Sequence, residues 1–140
     1  VRKRVFSDPD RRHQLEEILH PLIARRREEW MEEESRKGAG LAVAEIPLLF
    51  EVGLEEEFDA VVVVDAPPEE RLRRLTELRG LTEKEALRIM AAQMAPEEKV
   101  KRGDFVIHNR GSKEDLEVRA LALLDILQAR ALGTGGLRQI

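Results

Sequence analysis

The sequence predicts an α/β fold in which helices cover a mostly parallel sheet. Two short runs, residues 41–46 and 59–66, are apolar almost throughout rather than alternating, which is typical of strands buried on both faces. A third run, residues 104–108, follows two helical segments, so that helices and strands alternate along the chain. At 140 residues the chain suits one core. We therefore predict a single layered domain with three strands.

The region before the first strand, residues 8–37, follows a helical pattern. Asp8 is in the position of an N-cap, and it is followed by a proline at the first helical position. Because Pro21 lacks an amide donor and clashes with the preceding turn, we predict that the helix ends or kinks there. A second helix then covers about 23–36 and stops at Gly38.

Three further helices are predicted after the second strand. The first covers residues 68–80, and the second covers 82–94 and opens with a capping box of Thr82 and Glu85. The third covers 112–132 and is capped by its first residue, a serine. The chain thus reads as two helices, two strands, two helices, a strand and a helix.

Composition excludes several kinds of site. With 42% hydrophobic and 37% charged residues, the chain is typical of soluble globular proteins. It has no cysteine and only three scattered histidines, so we expect no disulfide, thiolate or histidine metal site and infer an intracellular, cytoplasmic setting. The net charge of −4 argues against a nucleic-acid partner, and no apolar run is long enough for a membrane span.

The loop after the first strand carries a candidate binding patch. Pro47 cannot join a sheet ladder and should end the strand, which places Leu48, Leu49 and Phe50 where ligands bind in such sheets. These apolar side chains can lie against a base or a thin organic chain, or they can simply fill a gap between sheet and helices. Glu51 can accept hydrogen bonds from a hydroxyl or a cationic side chain.

The loop after the second strand places an acid, Asp65, before a helix that begins with proline. That helix carries Arg71, Arg73, Arg74 and Arg79. Arg71 and Arg74 share a face, with Arg79 not far away, and such a set can neutralise a polyphosphate. Glutamates are interleaved with these arginines, so the charge pattern alone favours a solvated face with surface ion pairs.

Two other positions are open to two interpretations. Asn109 and Gly111 follow the third strand and could meet a base edge, or could simply form a turn and a helix cap. His20 precedes Pro21, and a histidine at a helix end is more often satisfied by local carbonyls than used in chemistry.

Five motifs occur together in one order: VFSDPDRRHQLEEILHPLI, IPLLFE, VVVVDAPPEERLRRL, RGLTEKEALRIMAAQM and PEEKVKRGDFVIHNRGSKEDL. This succession, from about Val5 to Leu127, closely resembles the dephospho-coenzyme A kinases. The resemblance implies a P-loop kinase-like fold of nucleoside-monophosphate-kinase type. It also implies an enzyme that uses ATP and Mg²⁺ to phosphorylate the ribose 3′-hydroxyl of dephospho-coenzyme A, a small-molecule substrate. Gly103 stands where the family commonly has alanine.

The resemblance also implies a division of labour along the chain. It implies a helical acceptor-binding region at 1–40, a partial α/β core at 41–75 and 103–132, a helical lid at 76–102 and a loose tail at 133–140. The implied acceptor-binding residues are His20, Pro47, Leu48, Leu49, Phe50 and Glu51. The implied ATP-binding residues are Arg74, Arg79, Asn109 and Gly111, and Arg79 in the lid is also a candidate catalytic residue.

The start at Val1 indicates a piece of a longer protein. The family's phosphate-binding loop would precede it, so we expect the 140 residues alone to be inactive, because that loop cradles the phosphates. We also expect self-association, since strands that lack a neighbour can pair with another chain. The alternative is a non-catalytic nucleotide or coenzyme A binder, or a partner subunit.

Overall fold

The computed structural model describes residues 9–133, so the predicted N-cap Asp8 and residues 134–140 of the predicted tail lie outside this range. Gly133, the first residue of that tail, belongs to the last helix. The chain divides between Val43 and Ala44 into two compact units. The elements are helix α1 (Pro9–Arg36), strand β1 (Val62–Asp65), helices α2 (Pro68–Arg73), α3 (Glu83–Ala91) and α4 (Pro96–Arg102), strand β2 (Phe105–His108) and helix α5 (Lys113–Gly133). A 3-10 turn forms at Glu55–Glu57 and a π-helical turn at Arg74–Leu78.

In the first unit, α1 runs without a break from Pro9 to Arg36, so the predicted end of the helix at Pro21 is wrong. Proline removes one backbone hydrogen bond, whereas the other turns of this long helix keep theirs. Ion pairs one turn apart add to the helix, among them Arg25 with Glu29 at 2.9 Å. No helix in residues 9–133 combines the length and the apolar character that crossing a membrane requires.

In the second unit, β1 and β2 form a parallel two-stranded sheet, with Val62 opposite Phe105 and Asp65 opposite His108. The second and third predicted strands are therefore confirmed. The first is wrong, because residues 41–46 form no strand and Val43 is 71% exposed. Apolar composition gives a strand only where a neighbour supplies the ladder hydrogen bonds, and β1 and β2 pair with each other.

The beginning of the sheet is held by a reciprocal contact between the two strands. The Asp104 carboxylate accepts a hydrogen bond from the Val61 amide at 2.7 Å, and the Val61 carbonyl accepts one from the Asp104 amide at 2.9 Å. Just before this contact, Gly103 lies against Val63 so closely that a Cβ there would be 2.5 Å from Val63 Cγ2. An alanine at this position therefore does not fit beside Val63 without a shift.

The core lies between β1 and the turns that follow residue 46. Phe50, Val61 and Val63 are buried there. Leu49, Phe58, Met94 and Val100 pack around them. Met94 comes just before α4 and Val100 is part of it. Because both pack on this cluster, it fixes α4 against β1.

The predicted caps at the starts of α3 and α5 are confirmed. The Thr82 hydroxyl accepts from the Glu85 amide at 3.3 Å, and the Glu85 carboxylate accepts from the Thr82 amide at 2.9 Å. Ser112 and Asp115 make the same reciprocal pair at the start of α5.

Two helical details were not predicted. The helix expected over 68–80 forms α2, then widens into the π-helical turn and stops at Gly80, whose φ of 64° is in the left-handed region that favours glycine. Helix α4 was missed, although Pro96 at its start, acids in its first turn and bases in its last are start and stop signals.

Candidate functional site

A cleft of about 210 Å³ opens in the second unit at the carboxyl end of β1. Parallel sheets bind ligands at this end of their strands. The polar residues that line it are Asp65, Arg71, Gln93 and Lys99. The remaining lining residues are Pro47, Val63, Val64, Ala66, Met94 and Pro96. Because its lining combines two cations, one acid and one amide with apolar residues, the cleft suits a group that is both anionic and partly apolar.

Arg71 joins α2 to the segment between α3 and α4. Its Nη2 donates a hydrogen bond to Gln93 Oε1 at 3.3 Å. The partner is a neutral amide rather than a carboxylate, so this contact leaves the positive charge of the guanidinium uncompensated. Arginine binds phosphate or carboxylate through its planar fork of donors, and Arg71 is therefore a candidate anion ligand.

Glu51 lies just behind the cleft wall and holds two residues that line it. Its Oε1 accepts from Lys99 Nζ at 2.8 Å and from the Met94 amide at 2.8 Å. The side chains of Glu51 and Lys99 are only 18% and 17% exposed. Burial by itself raises the pKa of Glu51, but the hydrogen bonds from Lys99 and Met94 outweigh it and hold the pKa below its ordinary value.

A second ion pair joins the neighbouring 3-10 turn to the same helix. Glu55 contacts Arg102 at the end of α4, and the Arg102 guanidinium lies 5.0 Å from the centre of the Phe50 ring. We call these two pairs, Glu51 with Lys99 and Glu55 with Arg102, the α4 clamp. Both Oε2 atoms of its acids are buried and accept no hydrogen bond from a described residue.

Beside the cleft, side chains meet where both strands end. Asp65 Oδ2 accepts from His108 Nδ1 at 3.1 Å and from Arg110 Nη2 at 3.3 Å, and the Asp65 carbonyl accepts from the Asn109 amide at 2.7 Å. We call these four residues the strand-end cluster. Burial raises the pKa of Asp65, but the hydrogen bonds from His108 and Arg110 hold it below its ordinary value.

Arg74 connects this cluster to α2. Its Nη2 donates to Asn109 Oδ1 at 3.2 Å and its Nε donates to Glu70 at 2.9 Å. Hydrogen bonds from Arg73 and then from Arg74 hold the pKa of Glu70 at about 2. The helix-face interpretation of these arginines, as surface ion pairs with interleaved glutamates, is therefore confirmed for Arg73 and Arg74, while Arg71 turns to the cleft.

The structure brings some of the predicted site residues together and leaves others apart. Pro47 lines the cleft, Glu51 backs it, and Arg74 and Asn109 contact each other beside it. Phe50 is part of the core, and Leu49 packs against that core. Leu48 and Arg79 are exposed and outside the cleft lining, and His20 is exposed in the first unit. The binding roles of all these residues stay predictions.

Gly111 has a structural role in the turn between β2 and α5. A Cβ there would lie 2.5 Å from Asp115 Oδ2, the oxygen that accepts the Ser112 amide. The turn-and-cap interpretation of this loop is thus confirmed, and contact of Gly111 with ATP stays a prediction. Within residues 9–133, no group of three or more histidine, aspartate and glutamate side chains could hold a metal ion, so no Mg²⁺ site is assigned to them.

Comparison with known proteins is decisive for the family. The family model of dephospho-CoA kinase matches residues 1–115. The chain belongs to the dephospho-CoA kinase family. A dephospho-CoA kinase of Thermus thermophilus is 46% identical over 132 residues, which cover 94% of this chain and 64% of that protein. The chain thus spans slightly less than two thirds of this relative's length.

Two solved structures show the same fold. A crystal structure of a protein from Thermus thermophilus is 47% identical in sequence and has a TM-score of 0.72. The match covers 89% of this chain and 63% of that one. The structure of a dephospho-CoA kinase from Campylobacter jejuni is 30% identical in sequence and has a TM-score of 0.62. This match covers 89% of this chain and 62% of that one. The α/β, P-loop kinase-like class predicted from the sequence is confirmed, except for the first of its three strands.

Three cleft residues were not among the predicted site residues: Arg71, Gln93 and Lys99. The sequence predicts Arg71 as one of several arginines that can neutralise a polyphosphate, but the alternation of arginines and glutamates does not show which arginine meets the cleft. Lys99 had a usable signal, because the start pattern of α4 places it one turn inside a short helix. Gln93 had none, because a polar residue after a helix is ordinary.

Proposed function

We propose that this chain is part of an ATP-dependent kinase that phosphorylates the ribose 3′-hydroxyl of dephospho-coenzyme A. The observation that carries the proposal is the family match over residues 1–115. The cleft supports it, because it offers Arg71 and Lys99 to an anionic group and Pro47 and Met94 to an apolar one. A cytoplasmic setting belongs to the same proposal.

Charge neutralisation and positioning are the main tasks of a phosphoryl-transfer site. In this proposal Arg71 binds a phosphate group of the substrate, exchanging its 3.3 Å bond to Gln93 for a charged partner. Residues 76–102 close over the phosphates as a lid, and residues 1–40 help to bind the acceptor. ATP is the phosphate donor. Residues 9–133 contain no group of three or more histidine, aspartate and glutamate side chains that could hold the Mg²⁺ expected with ATP, so it is given no ligands here.

Titration calorimetry of the 140-residue chain with dephospho-coenzyme A tests the proposal. We expect binding that Arg71→Gln weakens about tenfold, the effect of losing one charge-assisted hydrogen bond. Arg73→Gln is the matched control, because Arg73 is on the same helix but pairs with Glu70 and Glu77 in solvent. Absence of binding by the unsubstituted chain, or equal losses in both variants, would contradict the proposed site.

A coupled assay of ADP release tests turnover. We expect no release by the 140 residues alone, because residues 9–133 supply no loop that cradles the β- and γ-phosphates. Turnover at a rate typical of kinases would show that expectation to be wrong while leaving the family assignment intact. Binding without turnover is also the behaviour of the alternative, a non-catalytic coenzyme A binder or partner subunit.

A further inference from the structure

We infer that Glu51 is a positioning residue, which holds the Lys99 ammonium at the cleft wall and thereby sets the affinity of the cleft for a phosphate-bearing ligand. Glu51 does not line the cleft, whereas Lys99 and Met94, the two residues that it holds, both do. Because it assigns a role within the proposed dephospho-coenzyme A site, this inference rests on the proposed function.

Lysine needs such a restraint more than arginine does. Its ammonium is a point charge on a flexible four-carbon stem, and only an acceptor fixes where that charge lies. Lys99 is mostly buried, so without Glu51 its ammonium would lack a charged partner and would turn toward water. The same Glu51 oxygen accepts the Met94 amide, which ties the chain between α3 and α4 to that point.

The other half of the α4 clamp provides a natural contrast. Glu55 lies one turn from Glu51 and holds Arg102, three residues after Lys99. Arg102 does not line the cleft. If Glu51 merely anchored α4, the loss of either acid would have the same effect on the cleft. If it positions Lys99, only the loss of Glu51 changes where the Lys99 ammonium lies, although Arg102 does contact the cleft residue Met94.

The sign of the effect separates positioning from simple electrostatics. Removing an acid near a cationic cleft makes the local potential more positive, and Coulomb's law alone then predicts tighter binding of an anion. Loss of position predicts weaker binding instead, because the ammonium no longer lies where the ligand's phosphate would be.

Amine labelling tests the position of Lys99 without any ligand. An acetylating reagent is applied briefly to the 140-residue chain, and acetylation of each lysine is measured by mass spectrometry. We expect Lys99 to react several-fold faster in Glu51→Gln than in the unsubstituted chain or in Glu55→Gln. Lys101, exposed on the same helix, is the internal reference. Unchanged labelling of Lys99 in Glu51→Gln, or an equal rise in Glu55→Gln, would overturn the inference.

Calorimetry with dephospho-coenzyme A tests the consequence for binding. We expect Glu51→Gln to weaken binding about tenfold, and to have no further effect when Lys99→Met is already present. Tighter binding, or an equal loss in the Lys99→Met background, would overturn the inference. If the unsubstituted chain does not bind, the proposed function fails, and labelling still decides where Lys99 lies. If Glu51→Gln does not fold, Glu51→Asp, shorter by one methylene, must release Lys99 to labelling in the same way.

Discussion

Two carboxylates flank the cleft, and each holds basic side chains at hydrogen-bond distance, but their surroundings differ. Glu51 holds Lys99 in a pair whose side chains are 18% and 17% exposed. Asp65, itself 15% exposed, holds His108 and Arg110, which are 46% and 62% exposed. Water and salt screen the second set and reach the first much less. Although the hydrogen-bond distances are similar, the buried pair should contribute more to stability, and the exposed bases are freer to move and meet a ligand.

The largest effect is expected from breaking the buried pair on one side only. Lys99→Met leaves Glu51 without its cation, and we expect the free energy of unfolding to fall by roughly 2–3 kcal/mol, less than for a fully buried pair. Glu51→Gln with Lys99→Met should recover much of this loss, because the two neutral side chains leave no unpaired charge. Urea unfolding measures both. Losses that simply add in the double variant would show that the pair is not coupled.

The next largest effect on stability is expected where Gly103 packs against Val63 of β1. Gly103→Ala places a methyl group 2.5 Å from Val63 Cγ2, and we expect a loss of about 1–3 kcal/mol from overpacking. The Glu51 pair should be untouched, so Lys99 labelling should stay slow. Gly40→Ala is the control, since a Cβ there has no atom within 4 Å. Val63→Ala should make Gly103→Ala less costly, and equal costs in both backgrounds would contradict this steric account.

Lowering the pH should reduce the stability that the Glu51 and Asp65 contacts provide, because the pKa values of both acids are lowered in the folded chain. The pKa values of Glu51 and Asp65 are below their ordinary values of 4.5 and 3.8 in the folded chain. The unfolded chain then binds more protons, so this stability is present above the ordinary values and is lost as pH falls through the folded ones. We expect unfolding free energies measured from pH 6 to 3 to decline below about pH 4.5. Glu51→Gln should flatten the decline, and a slope unchanged in that variant would contradict it.

The smallest effect is expected at the exposed set. Asp65→Asn keeps an oxygen that accepts a hydrogen bond from Arg110 or His108 and loses only the charge. Because both bases are well exposed, we expect a change of about 0–1 kcal/mol. Salt should reduce this difference, whereas the Lys99→Met difference should depend little on salt. Thermal unfolding of both variants at low and high salt checks this expectation. Equal salt dependences of the two stability differences would contradict it.

Local features of the second unit were predictable from the sequence. The capping boxes at Thr82 and Ser112 and the apolar runs of β1 and β2 depend on neighbours in sequence or on burial alone. The helix break at Pro21 failed because a single lost hydrogen bond does not decide a long helix. The strand at 41–46 failed because a strand also needs a partner, and pairing is a long-range property that composition does not contain.

The candidate site was predictable only in part, for the same reason. Asp65 follows from the rule that ligands meet the carboxyl ends of strands. Pro47 lines the cleft as well, although the strand expected before it does not form. The pairing of Glu51 with Lys99 joins residues 48 apart in sequence, and it depends on how α4 packs on the core. Phe50 illustrates the reverse: an apolar residue beside a predicted site is part of the core, as burial of a large ring would favour.

The π-helical turn at Arg74–Leu78 sets the direction in which the chain leaves α2. Such a turn takes in one residue more than an α-helical turn, and each residue of an α-helix advances the chain by about 100° around the axis. This surplus residue therefore rotates the exit of the chain from α2 before the turn at Gly80 begins. A relative that lost one residue from this turn would leave the helix rotated by about a quarter of a revolution, and the segment after Gly80 would have to absorb that change for Gln93 to stay within reach of Arg71.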